Sequence, residues 1–105
     1  MTDEAKHPIR LGPPWEVRAA RGGMCHTRKF GSPRALAVND RVWLVCAHVP
    51  GAAEICVNGA PVGAVAAPGP FAADIGARLA PRNEVAFVVA SEEPLGGVVL
   101  EIRSG

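Results

Sequence analysis

The chain has no tyrosine, and with two tryptophans and three phenylalanines its aromatic residues make up only 5% of 105 positions. Modules that hold nucleic acid interleave aromatic side chains with a strongly basic surface. Here the net charge is +1 and the pI about 7.8, so no nucleic-acid partner is expected. Apolar runs are short; none approaches the ~20 residues that cross a bilayer as a helix, so no membrane partner is expected. The opening MTDEAKHPIR lacks the basic-then-apolar order of a secretory signal. Three cysteines without such a signal are expected as free thiols in a cytoplasmic protein, not as a disulfide framework.

Glycine and proline are plentiful, 12 and 10 residues, which suits many short strands joined by turns. The length fits one core, so residues 9–105 are expected to form a single domain behind a flexible arm, residues 1–8. Trp15, Val17 and Ala19 share one parity and predict a half-buried strand. Met24 to Phe30 reads as an edge strand. The nearly continuous apolar run Arg41 to Val49 predicts a strand covered on both sides.

In AEICVNG, Ala53, Ile55 and Val57 alternate with Glu54, Cys56 and Asn58. Asn58-Gly59 then predicts a type I′ hairpin turn, since both residues tolerate positive φ. APVGAV is the returning strand. Asp74 stands at an N-cap position before Ile75 and Leu79, predicting a helical turn over 74–79 that Pro81 ends. NEVAFVVAS and GGVVLEIRS supply two more strands, the latter with Val98, Leu100 and Ile102 inward. The fold class is therefore all-β, an antiparallel sandwich of about eight strands.

The order of these pieces resembles the galactose-binding-like jelly-roll, in particular the sugar-binding domain of family 2 glycoside hydrolases. The resemblance rests on Ile55, Val57, Asn58, Gly59 and Gly63, then Pro70, Phe71, Asp74, Ile75 and Leu79, then Asn83, Val85, Phe87 and Val89. It covers residues 41–103, and LGPPWEV resembles the entry strand. One departure is Arg82, which stands where the family pattern has a glycine before Asn83. The resemblance implies a non-catalytic module that binds sugars, other small ligands or proteins through loops at one end of the sandwich.

Among the chemistry-bearing residues, Trp43, Arg28, Lys29 and Asn58 are the candidate ligand contacts. Trp43 lies on the strand face opposite Leu44 and Cys46, where it is either exposed or covered by a partner. Asn58, Gly59, Gly63, Asp74 and Asn83 are expected as turn and cap residues. A single carboxylate at Asp74 is a poor Ca²⁺ site, because the ion takes six to eight oxygens. The set Cys25, His26, Cys46, His48 and Cys56 lacks the paired spacing of zinc sites, so neither metal nor cofactor is expected. Cys25 and His26 are adjacent and would point opposite ways on a strand, which argues against a nucleophile–base pair. The basic group Arg18, Arg21, His26, Arg28, Lys29 and Arg34 reads as a solvated loop.

Residues 1–41 carry +4 and residues 42–105 carry −3, a mild asymmetry that suits self-association as well as an anionic partner. The leading functional expectation is carbohydrate binding without catalysis. Its alternative is a protein-interaction domain, or a homo-oligomer, that pairs through Trp43 and Val45. A third reading is a Cys/His metal-binding protein.

Overall fold

The period-two alternation seen along most of the chain places one row of each strand in a common interior. The computed structural model describes residues 5–33 and 36–104. Its strands are β1 (Ala5–Arg10), β2 (Glu16–Ala20), β3 (Gly23–Gly31), β4 (Asp40–Val49), β5 (Ala53–Val57), β6 (Ala60–Val65), β7 (Gly69–Asp74), β8 (Arg82–Val89) and β9 (Val98–Ser104). A 3-10 turn spans Gly76–Arg78. One sheet has the order β1-β9-β4-β7 and the other β2-β3-β8-β5-β6, with every pairing antiparallel. The result is the expected jelly-roll sandwich.

The core lies between the sheets. Val42, Leu44 and Cys46 of β4 and Leu100 of β9 meet Ile55 and Val57 of β5 and Val85, Phe87 and Val89 of β8. Each such apolar side chain contributes about 1.5–3 kcal/mol on burial. Phe87 is fully buried and takes Trp15 and Phe71 edge-on, at 6.0 and 6.3 Å between ring centroids. Gly63 is explained by this packing, because a Cβ there would come within 2.7 Å of the Phe71 ring.

Four expectations need correction. Residues 5–8 belong to β1, where Ala5 and Lys6 pair with Arg103 and Ile102, so the expected arm overlaps a strand; residues 1–4 lie outside the described residues. Met24 to Phe30 is not an edge: β3 is hydrogen-bonded to β2 on one side and to β8 on the other. Val17 and Ala19 are exposed, because β2 forms the sheet's edge; only Trp15 of that parity packs on the core. Asp74 ends β7 instead of capping a helix. Its Oδ1 accepts the Gly76 N–H at 2.9 Å, and the turn is a short 3-10 segment preceded by Ile75. Gly76 so close to the strand end, and Pro81 beyond Leu79, leave room for one turn only.

Candidate functional site

Two clefts flank the core at opposite ends. The first is set by the Asn58-Gly59 turn, whose φ values of 54° and 80° are the left-handed ones expected. Asn58 donates from Nδ2 to Arg78 O (2.8 Å) and to Asn83 Oδ1 (2.9 Å), and its Oδ1 accepts the Glu84 N–H (2.9 Å). Asn83, 4% exposed, also accepts the Ala80 N–H and donates to Ala80 O and Ser32 Oγ. The two amides therefore form a rigid, fully bonded floor. Around it lies a cleft of about 690 Å³ that includes Lys29, Phe30, Pro81, Arg82 and Glu84. Lys29, Arg82 and Glu84 are exposed there. The geometry thus unites Lys29 and Asn58, two of the four candidate contacts, while the amide of Asn58 is engaged with the protein itself.

The other two candidates lie elsewhere. One face of the half-buried Trp43 is covered by the Arg103 guanidinium, 4.4 Å from the ring centroid, and Arg103 is paired with Glu101 Oε1 at 2.6 Å. Arg28 is cross-strand from Val85 and therefore on the inner face of β3. Its Nε donates to Gly12 O at 2.7 Å and its other arm to Lys29 O. It acts as a strut that holds the β1–β2 connection.

That connection walls the second cleft. His26 is paired with Phe87 and Val17, so it shares the inner face with Arg28, whereas Cys25 faces outward opposite Val88 and Arg18. The cleft, about 720 Å³, is lined by Leu11, Trp15, Val17, His26 and Leu95 among others, with Arg10 and Glu92 its charged members. Its walls are tied down: Leu11 N–H to Val98 O (2.9 Å), Trp15 Nε1 to Leu11 O (2.9 Å), and Gly96 N–H to His48 O (2.7 Å). His26 is 5% exposed, and its Nε2 is buried with no hydrogen-bond partner. An unmet buried nitrogen costs about 1–3 kcal/mol. Desolvation by burial pushes the imidazole below its ordinary pKa, so it is neutral at pH 7.

This second cleft is not legible in the sequence because its walls come from four separate segments. The only local signal was a polar residue, His26, on a strand parity that also carries Met24 and Phe30. The thiols do not converge. Cys46 is wholly buried between the sheets, while Cys25 and Cys56 lie on the outer face of the five-stranded sheet, two strands apart. Among the described residues no three His, Cys, Asp or Glu side chains gather as a metal site would need. Arg34, the last of the basic group, lies outside the described residues. No described helix is long and apolar enough to cross a membrane.

No protein-family model matches the chain, and no curated protein matches it. Solved structures do match in fold. A β-D-glucuronidase of Dictyoglomus thermophilum superposes with TM-score 0.77 over 99% of this chain, at 15% identity. The β-glucuronidase of Bifidobacterium dentium gives 0.72 over 85% at 16%, and a family 2 (GH2) β-galacturonidase of Eisenbergiella tayi gives 0.56 over 74% at 21%. The fold is therefore the β-sandwich found within family 2 glycoside hydrolases, as the motif order implied. The chain spans only 29%, 21% and 16% of those three enzymes, so it corresponds to one part of each.

Proposed function

We propose that this chain is a non-catalytic carbohydrate-binding module whose site is the cleft over the Asn58–Asn83 floor. The observation that carries the reading is the placement of Lys29, Arg82 and Glu84 around that floor, at the turn end of the sandwich. Sugar hydroxyls each donate and accept, and charged side chains form the stronger hydrogen bonds to them. A cation, a second cation and a carboxylate on a pre-formed floor supply both senses of hydrogen bond with little ordering cost. The small share of each glycosidase that the chain matches supports the non-catalytic part of the reading.

Calorimetry with simple sugars, preceded by a glycan array, tests it. Binding should weaken about tenfold in Arg82→Ala and in Glu84→Ala, the loss of one charge-assisted hydrogen bond. Absence of heat with every sugar at millimolar concentration would remove the carbohydrate reading.

A further inference from the structure

We propose that the cleft between Trp15 and His26 is a second binding site, and that its ligand is a small neutral aromatic molecule bearing one hydroxyl, a phenol in chemical class. Three observations converge on that chemistry. The space, about 720 Å³, has the size of a small-molecule site, and Leu11, Pro13, Trp15, Val17 and Leu95 give it apolar walls. Those walls are held in place by hydrogen bonds to backbone carbonyls on both sides, so the cavity exists before any ligand arrives. The inner strand face then offers one buried polar atom without a partner, His26 Nε2.

The remaining side chains narrow the ligand further. Arg10 and Glu92 line the same cleft with opposite charges, so it has no net charge with which to hold an ion. A sugar is a poor occupant, since several hydroxyls would enter a space walled mainly by hydrocarbon and lose their partners. One hydroxyl suits one orphan nitrogen. It can donate or accept, so it pairs with the imidazole in either tautomer. The aromatic body meanwhile finds Trp15, whose indole N–H is already engaged with Leu11 O and leaves the ring as an apolar surface. Nε2 is sealed from water in the unliganded fold, so the ring must shift toward the cleft that it lines, and its own signals will report the contact.

The test is a titration of the ¹⁵N-labelled chain with p-cresol, and in parallel with toluene, which has the same body without the hydroxyl. Cresol should move the amides of Gly96 and Gly97, the Trp15 indole signal and the ring nitrogens of His26, and should bind about tenfold more tightly than toluene. His26→Phe keeps an apolar-compatible ring and should erase that preference. Leu95→Trp, which fills the cleft from its loop wall, should abolish the response to both compounds. Equal affinity for cresol and toluene in the unaltered chain would overturn the proposal, as would no response at millimolar cresol. A preference that survives His26→Phe would do the same. This site lies at the end opposite the proposed carbohydrate cleft, so sugar titrations leave its signals unmoved and either site can fail alone.

Discussion

Asn58 and Asn83, 25 residues apart, share a hydrogen bond of 2.9 Å between their side-chain amides, and through it the β5–β6 turn is tied to the start of β8. Asn83 is 4% exposed and serves as the hub, holding Ala80 through both its N–H and its C=O. Asn83→Ala would remove the acceptor of the Ala80 N–H and one of the two acceptors of Asn58 Nδ2, along with the donor bonds of Asn83 to Ala80 O and Ser32 Oγ. The expected cost is roughly 3 kcal/mol, since several side-chain hydrogen bonds worth about 0.5–1.5 kcal/mol each are lost at a buried position. Asn58→Gly keeps the left-handed turn and should cost about half as much. Urea unfolding measures both, and an Asn83→Ala midpoint equal to that of the parent chain would refute the hub role.

The same pair shows what can and cannot be read from sequence. The turn was legible, because positive φ at Asn58 and Gly59 is a local property of the two residues. The strands were legible wherever one row is apolar, as in Val85, Phe87 and Val89, and so was the outward aspect of Trp43. What Asn58 holds was not, since its partners lie 20 to 26 residues away. Pairing of Ala5 with Arg103 joins the two ends of the chain, and no local pattern encodes it. β3 misled for a related reason. Its inner row contains His26 and Arg28, which breaks the apolar alternation, and Arg28 is reconciled with that position by Gly12 O, from a distant segment, and by Lys29 O. Polar residues on an inner face look like loop until the segment that answers them is known.

The three thiols should react in an order set by their faces. Cys56 is half-buried on the outer sheet surface, Cys25 is 7% exposed, and Cys46 is wholly buried. Desolvation pushes the Cys46 thiol up, outweighing the opposing influence of the His48 and Gly96 backbone. Only the thiolate attacks an alkylating agent, so Cys46 is disfavoured by access and by ionisation together. Under native conditions at pH 8, iodoacetamide should label Cys56 first and Cys46 last, and all three should react at similar rates in urea. Peptide mass mapping reads the order; early labelling of Cys46 would contradict its place between the sheets.

His26 gives the fold a pH dependence whose direction follows from its burial. Its folded pKa lies below the ordinary value of about 6.5, so between the two the unfolded chain holds more protons than the folded one. The His26 contribution to stability is therefore complete above about pH 6.5. It declines as pH falls toward the lowered folded value, with a slope of up to about 1.4 kcal/mol per pH unit. Arg10 and Glu92 line the same cleft and Arg28 shares the inner face of β3 with His26, so the surrounding charges are of both signs. Desolvation thus remains the deciding influence. Urea unfolding of the parent chain between pH 7.5 and about 5.5 should show this fall, in a range above most carboxylate titration. His26→Phe should flatten it and raise the midpoint at the acidic end. A His26→Phe chain that loses stability with acid as steeply as its parent would place the proton elsewhere.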